Sequence, residues 1–515
     1  MIRNTGATWL LALALVACGG NDDDPVRGGA GGREVARGAA GMANLPAGTG
    51  GSAAGSVSPA GRGGAGTIAA GTGAAGVTAG SGMAGMSAGP AGTGGGTVGL
   101  PSGTLAERIG TSEVALPAGI KPGVRNWRVW TLQMLKISPI FSVPLANCGT
   151  LIGFTTGTSM APNARVVRLD ANDKLVATID LGASLELRGL AAEPDGHFGA
   201  LLWNGASDQI WVKRYDLMGK ELFATELVNK KNDMIDNSPT DFGIGESRLE
   251  FGAGKYGAYY HVHSMSGHEG DTLKYVAAET GAEMTTWPWG CSHSMSNLLT
   301  FNPTSSTFLA SCVTDCYPGT SGSDFATTAK GGVYTENRYK IMDVAGGCNG
   351  TVAGELGGAA AAPAGWKVVF NAHQQPTVLG QKSYSTMTMN QDIGFISIGA
   401  NKMPMGGVVW LTTTPMIQEA DSAIVRFAPM GDSAEQYIVG WLEGSAYKMA
   451  RVDPTGKFLE QPSDVTSKAK WGQRDDPFRA HKNGDIVWAW ADAANAQVLK
   501  FARLRSGNTA ECAAF

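Results

Sequence analysis

Aromatic residues are missing from residues 19–100, although the chain has 40 of them and 39 lie between Trp127 and Phe515. The same stretch holds 28 of the 74 glycines, and its acidic and basic residues are equal in number. Such a segment cannot bury enough apolar surface to offset the entropy lost on folding. We therefore expect a neutral, flexible spacer over residues 18–104, with a low-complexity binding segment as the alternative, and one folded domain over residues 105–515.

Strong charge and familiar catalytic motifs are also absent. The net charge of the whole chain is −4 and its basic residues do not cluster, which argues against nucleic acid as a partner. There is no Walker loop, no Gly-x-Ser-x-Gly elbow, no His-Glu-x-x-His motif and no dinucleotide fingerprint after a strand. No short motif therefore identifies an activity, and the function has to be inferred from the fold.

Long apolar runs are absent too, because the run Trp9–Val16 is well short of the ~20 residues that span a bilayer. Arg3 precedes this run, as in a secretory signal peptide over residues 1–17. Leu15-Val16-Ala17-Cys18 then resembles the lipobox of bacterial lipoproteins. The resemblance implies export, cleavage before Cys18 and a lipid anchor on its sulfur, and the following Gly19 favours the outer membrane. The alternative is an ordinary signal peptide with a chance cysteine.

Six further cysteines lie in the predicted domain, and an exported compartment permits disulfides between them. Cys312 and Cys316 are close enough in sequence for a local bridge, or for a Cys-x3-Cys metal site as the alternative. Cys148 and Cys512 lie near the two ends of the domain and are predicted to tie them together. The sequence does not decide among the pairings of Cys148, Cys291, Cys312, Cys316, Cys348 and Cys512.

A short pattern, Arg-x-Asp-x-x-(Asp/Gly)-Lys, recurs at Arg168–Lys174, Arg214–Lys220 and Arg451–Lys457, each time between two β-type runs. Asp at the start and Gly near the end suit a tight hairpin turn. The copies are 46 and 237 residues apart, which fits steps of about 47 residues. We therefore predict an all-β domain that resembles bacterial β-propellers in general, with about seven blades and with six or eight as alternatives.

Two other all-β folds, a β-sandwich and a β-helix, remain as alternatives to the propeller. If the ring closes, a strand from each end of the domain is expected to share one blade, because an open ring would leave edge strands unpaired. The segment Val124–Leu135 is predicted to join the last strands around Phe501 for this purpose.

Four of the seven histidines fall between residues 261 and 293. Tyr259, His261 and His263 would share one face of a strand. The imidazole and carboxylate groups of this segment suit zinc, with copper or calcium as alternatives. The predicted metal ligands are His261, His263, His268, Asp271 and His293.

Acid–base catalysis is the rival interpretation of this segment, with His261, Tyr259 and Tyr260 as candidates. These residue types resemble those of propeller-fold polysaccharide lyases, which use His and Tyr to take a proton beside a uronate carboxylate. The remaining alternative is that the histidines are hydrogen-bonded parts of a β core and its loop.

Arginines recur early in the predicted units, at Arg188, Arg248, Arg426 and Arg479. If they line a central channel, they would bind carboxylates or sulfates. The alternative is that each pairs with an acid nearby in sequence, namely Glu186, Glu246, Asp421, or Asp475 or Asp476.

The sequence therefore favours a lipid-anchored binding protein whose propeller recognises a polysaccharide, a peptide or a protein partner. The alternatives are a polysaccharide lyase or metal-dependent hydrolase centred on residues 259–293, and a metal-carrying accessory protein.

Overall fold

The computed structural model describes residues 103–130, 133–207, 209–229, 247–263, 269–287, 296–314, 332–335, 340–343, 346–347, 351–352, 354–372, 391–472 and 476–508. All of them belong to the compact unit Gly92–Phe515. In these residues no helix is long and apolar enough to cross a membrane.

The described chain begins with one short helix, α1 (Leu105–Arg108), and continues as strands. Thr104 caps α1, because the Thr104 side chain accepts from the Glu107 amide while the Glu107 side chain accepts from the Thr104 amide. The strands are β1 (Ile109–Ala115), β2 (Arg125–Trp130), β3 (Gln133–Ile137), β4 (Phe141–Pro144), β5 (Thr150–Thr158), β6 (Ala161–Leu169), β7 (Leu175–Ala183), β8 (Glu186–Ala192), β9 (Phe198–Asn204), β10 (Gln209–Tyr215), β11 (Glu221–Asn229), β12 (Ser247–Gly252), β13 (Lys255–His263), β14 (Glu269–Ala277), β15 (Glu283–Trp287), β16 (Ser296–Asn302), β17 (Thr307–Thr314), β18 (Gly332–Thr335), β19 (Lys340–Asp343), β20 (Gly346–Gly347), β21 (Thr351–Val352), β22 (Gly354–Ala362), β23 (Gly365–Ala372), β24 (Asp392–Gly399), β25 (Pro404–Trp410), β26 (Glu419–Phe427), β27 (Gln436–Glu443), β28 (Ala446–Val452), β29 (Phe458–Asp464), β30 (Arg479–Ala480), β31 (Ile486–Ala491) and β32 (Val498–Leu504).

Most strands belong to four-stranded antiparallel sheets, and the described residues form seven of these. In chain order they are sheet 1 (β4–β7), sheet 2 (β8–β11), sheet 3 (β12–β15), sheet 4 (β16–β19), sheet 5 (β22–β25), sheet 6 (β26–β29) and sheet 7 (β30–β32 with β1). The first strands of sheets 1 to 7 contact one another in order, and β30 of sheet 7 contacts β4 of sheet 1. The sheets therefore surround a central axis, and the predicted β-propeller is confirmed.

Burial is highest in the inner and second strands of the sheets and lowest in the outermost strands. The inner strand β8 and the second strand β23 are almost entirely buried, because neighbouring sheets cover both of their faces. The outermost strands β25 and β29 are mostly exposed or half-buried. Apolar clusters fill the spaces between adjacent sheets; one joins sheets 2 and 3 around Leu201, Tyr256 and Tyr260.

The recurrent Arg-x-Asp pattern forms the turn between the third and fourth strands in sheets 1, 2 and 6. Asp216 shows how it works: its Oδ1 accepts from the amides of Met218 and Lys220, both at 2.9 Å. Gly219 in this turn has a φ of 86°, which favours glycine. Equivalent bonds to Asp170 and Asp453 are present in the other two copies.

The ring is closed by β1, which pairs with β32 from Ile109↔Leu504 to Ala115↔Val498. One strand from the start of the domain thus completes the last sheet, as expected, but the predicted segment was wrong. Residues 125–137 instead form a separate hairpin, β2 with β3. The local pattern identified strands there but not their partner, because strand pairing depends on contacts distant in sequence.

Cys148 and Cys312 each take part in a disulfide bond. Cys291, Cys316, Cys348 and Cys512 lie outside the described residues. The pairing of Cys148 with Cys512 therefore stays a prediction.

Replacing Ile109 by Ala should weaken ring closure, because this side chain is 3% exposed and packs in the core that joins α1 with sheets 6 and 7. We expect the free energy of unfolding to fall by about 2–4 kcal/mol in chemical denaturation. The matched control is Thr111→Ala on the exposed face of the same strand, which should change it by less than about 0.5 kcal/mol. Equal effects of the two substitutions would contradict the role assigned to β1.

Candidate functional site

A cavity of about 430 Å³ lies on the propeller axis and is lined by residues from the inner strands of all seven sheets. Most of the lining residues are apolar, and they include several alanines and the rings of Phe251, Phe301 and Phe478. Three charged side chains, Glu250, Arg426 and Arg479, line the cavity among these apolar groups. An apolar cavity with a few placed polar groups is typical of a ligand site.

The structure brings two of the four predicted arginines to this cavity, Arg426 and Arg479. Arg248 lines a smaller adjoining space of about 50 Å³ with Asp476 and Arg479. Arg188 lines neither cavity. It is 1% exposed, donates to Glu186 at 2.8 Å, and its guanidinium lies 5.0 Å from the centre of the Trp203 ring.

Arg479 is held by two carboxylates. Its Nη1 lies 3.1 Å from Oε2 of Glu250, and its Nη2 lies 3.2 Å from Oδ2 of Asp476. Burial would lower the pKa of Arg479, but the two carboxylates overcome this and raise it above its ordinary value. Burial also raises the pKa of Glu250, and Arg479 offsets part of that effect.

Arg426 is different, because its side chain is exposed and no carboxylate in the described part of the chain pairs with it. It lies on β26 opposite Tyr437 of β27 and contributes to the wall of the cavity. The expected pairing with nearby Asp421 is not among its contacts. The cavity therefore contains one arginine that is free to bind an anionic group and a second that is already paired.

The candidates Tyr259, Tyr260 and His261 lie on β13 of sheet 3, and Asp271 lies on the neighbouring strand β14. Tyr259 and His261 share one face of β13, as predicted, while Tyr260 packs on the other side in the core between sheets 2 and 3. His261 Nδ1 lies 3.2 Å from Oδ1 of Asp271. Both residues are buried, at 3% and 0% exposure.

Tyr259 belongs to the same group of buried residues. Burial raises its pKa well above the ordinary value, and the nearby Asp271 carboxyl raises it further. This arrangement places a potential proton donor beside a His–Asp pair. The role of these residues stays a prediction.

The predicted metal site is only partly described. Among its residues the structure brings His261 and Asp271 together. His268, His293 and the side chain of His263 lie outside the described residues, so binding of zinc, copper or calcium there stays a prediction.

A different group, Glu193, Asp195 and His197, places three potential ligand atoms close together in the turn between β8 and β9. Arg214 already binds both oxygens of Glu193, at 2.7 and 2.8 Å. A cation would therefore have to compete with a guanidinium for this carboxylate, and we assign no metal to this group.

Sequence reasoning missed Glu419, the first residue of β26. Its carboxyl is fully buried, Thr412 donates to Oε2, and Thr414 donates to Oε1 at 2.8 Å. Burial raises its pKa to about 7, and Asp392 and Glu443 add to the rise. The sequence signal was the contrast with Glu186, which starts the inner strand β8 and has Arg188 two residues later, whereas Glu419 has Asp421 there.

Sequence reasoning also missed Glu250. Because Arg248 and Glu250 alternate on the inner strand β12, both point towards the axis, where they meet Asp476 and Arg479. The alternation was visible in the sequence, but the partners from sheet 7 were not.

No family model and no curated protein matches the chain. Among solved structures, the polysaccharide lyase Uly1 aligns with 9% identity over 77% of this chain and 99% of its own length, with a TM-score of 0.45. A protein of unknown function from Dyadobacter fermentans aligns with 8% identity over 77% and 99%, with a TM-score of 0.37. Trypanosoma rangeli sialidase aligns with 10% identity over 74% of each chain, with a TM-score of 0.31. These likenesses are too distant to support an activity, and the fold is established by its own strand order.

Replacing Glu419 by Gln should stabilise the protein above pH 7. The carboxyl has a pKa of about 7 when folded against a reference value of 4.5, so between these values the unfolded chain loses the proton first. Stability therefore falls as the pH rises from 4.5 to 7, by about 2–4 kcal/mol. Glutamine mimics the protonated acid, so the melting temperature of the variant should exceed that of the wild type at pH 8 and match it at pH 4.5.

The matched control for Glu419→Gln is Glu279→Gln, which alters an exposed turn residue. Its melting temperature should follow the wild-type dependence on pH. If Glu419→Gln also follows that dependence, the carboxyl is ionised at neutral pH and the assignment is wrong.

Proposed function

We propose that this protein is an exported binding propeller that holds an anionic group of its ligand in the axial cavity. The observation that carries the proposal is Arg426, an exposed guanidinium with no carboxylate partner among the described residues, in the wall of a cavity of about 430 Å³. An arginine that has no carboxylate partner and lines a cavity is suited to bind an anion, because the guanidinium presents a planar set of donors that matches carboxylates and sulfates.

The ligand we favour is a uronate-containing or sulfated polysaccharide. Its charged group would bind Arg426, while the apolar carbon faces of a sugar would pack on Phe251 and Phe301 in the same cavity. An acidic peptide or protein offers the same carboxylate chemistry, and a ligand panel that contains both separates them.

A second candidate function, a polysaccharide lyase, is favoured by one specific observation. Tyr259, His261 and Asp271 lie together on paired strands, and His261 is hydrogen-bonded to Asp271. Such a group could accept and return a proton at a sugar carbon only if the substrate reached His261, which is 3% exposed in this structure. Shortening of the polysaccharide during the binding measurements would favour this candidate over simple binding.

We also propose that the chain is anchored to the outer membrane through a lipid on Cys18. Support comes from the apolar run Trp9–Val16 and the Leu15–Cys18 sequence. The spacer predicted from the composition of residues 18–104 would separate the propeller from the membrane by roughly 50 Å. A binding site on such a tether would be accessible to ligands of the cell envelope or of the surroundings.

Replacing Arg426 by Ala should weaken binding of the charged ligand by about 10–100-fold in Kd, the range expected for loss of one charge-assisted hydrogen-bonding group. Isothermal titration calorimetry with galacturonate oligomers, sulfated oligosaccharides, an acidic peptide and a neutral maltooligosaccharide measures this. Lys457→Ala, which removes an exposed positive charge from a turn, is the control and should bind as the wild type does. Equal affinity of the Arg426 and Lys457 variants would refute the assigned site.

Replacing Cys18 by Ser should release the protein from the membrane fraction when it is expressed in a Gram-negative bacterium, because the thiol that carries the lipid is lost. The wild type should partition into the detergent phase and carry the added mass of acyl chains on its N-terminal peptide. Ala17→Gly retains the cysteine and serves as the control. A membrane-bound Cys18→Ser variant would show that anchoring does not depend on this residue.

A further inference from the structure

Four charged side chains form a continuous chain of ion pairs across the propeller axis. Arg248 Nε lies 2.7 Å from Oδ1 of Asp476, whose Oδ2 lies 3.2 Å from Nη2 of Arg479. Arg479 Nη1 in turn lies 3.1 Å from Oε2 of Glu250. Arg248 and Glu250 belong to sheet 3, whereas Asp476 and Arg479 lead into and begin sheet 7, which is not adjacent to sheet 3 in the ring.

The two carboxylates of these ion pairs, Asp476 and Glu250, differ in how firmly the structure holds them. Asp476 has a φ of 44° and is followed by Pro477 and by Phe478, which has a φ of 63° and is buried among Trp471 and Trp488. Non-glycine residues adopt such backbone angles only where the surrounding structure fixes them. Asp476 is therefore fixed between the two arginines that it binds.

Glu250 lies on the regular inner strand β12, and its side chain lines the larger cavity. Arg479 is its only hydrogen-bond partner among the described residues. Glu250 can therefore leave Arg479 by rotating its own side chain, without any movement of the backbone.

Among the described residues, the charged groups of the two axial cavities do not cancel. The arginines Arg248, Arg426 and Arg479 face the carboxylates Asp476 and Glu250, so the described residues leave one positive charge uncompensated. That charge is on Arg426, since the other four groups are paired with one another. The resting cavity is thus suited to one anionic group, and Glu250 occupies the arginine that would bind a second.

We propose that Glu250 is an internal competitor for the anionic group of the ligand, held on Arg479 in the resting cavity, and that it limits the affinity and the number of negative charges that the cavity accepts. The inference rests on the proposed function. An anion bound at Arg426 lies in the same cavity as the Glu250 carboxylate, so the two negative charges repel. A doubly charged anion is repelled more strongly than a singly charged one, and it gains Arg479 as a second partner only by displacing Glu250.

Glu250→Gln tests this, because it removes the negative charge and keeps the shape of the side chain. With galacturonate as the monoanionic probe and sulfate as the dianionic probe, we expect calorimetry to show about a tenfold or greater gain in affinity for sulfate and a smaller gain for galacturonate. The matched control is Glu221→Gln, which removes a glutamate that lies 2.9 Å from Lys213 in the outer strands of sheet 2. It should leave both affinities unchanged.

A second variant shows whether a change in sulfate binding comes from the lost charge rather than from a folding defect. Glu250→Asp keeps the charge but withdraws it from Arg479 by one methylene group, and it should increase sulfate affinity less than Glu250→Gln does. Near-ultraviolet circular dichroism of both variants should match that of the wild type. Unchanged or weaker sulfate binding by folded Glu250→Gln would overturn the inference.

The failure of this inference differs from that of the proposed function. If the wild type binds an anion in a manner that depends on Arg426, but Glu250→Gln does not bind more tightly, only the competitor role is lost. If neither the wild type nor Glu250→Gln binds any anionic probe, the proposed function fails and the inference fails with it.

Discussion

The pairing of β1 with β32 is the constraint on which the rest of this structure depends. Seven consecutive residues of β1 complete sheet 7, and the inner strand of that sheet then contacts the inner strands of sheets 1 and 6. The axial cavity takes part of its wall from every inner strand. The cavity is therefore a property of the closed ring rather than of any one sheet, and residues more than 200 positions apart meet there.

Among the described residues, some charged side chains near the axis are paired with a group of opposite charge, and Arg426 is not. Removing charges from water is costly unless they are paired, and the structure pairs Arg188 with Glu186 and Arg248 with Asp476. Glu419 satisfies the same requirement differently, since its raised pKa allows it to hold a proton near neutral pH. Arg426 is exposed and therefore remains charged at low cost. The arrangement concentrates positive charge where a ligand can reach it.

Features of the fold and of the site could be predicted from the sequence where they depend on contacts between residues that are close in the chain. The recurrent turns were predictable, because Asp216 and Gly219 act on amides within four residues. The propeller followed from their spacing. The closing strand was misplaced in the segment Val124–Leu135. Arg248 pairs with Asp476 of another sheet, which was not expected, whereas the pairing predicted with Glu246 falls outside the described residues. Both of these contacts, β1 with β32 and Arg248 with Asp476, form only after the ring is assembled. Asp476 was among the partners expected for Arg479 and is confirmed, whereas Glu250 could not be foreseen because it belongs to another sheet.

The position of β1 also determines how the domain would respond to mechanical force. Any pull transmitted along the chain from its N-terminal side reaches α1 before it reaches the closing strand. Leu105 of α1 is fully buried, and Arg108 pairs with Glu460 on the outer strand of sheet 6. This short helix therefore holds the chain against sheet 6 immediately before Ile109, which pairs with Leu504 at the start of the closing strand. Tension applied from the N-terminal side would have to extract Leu105 before it could separate the closing strand from the sheet, so the buried helix would protect the ring against such a load.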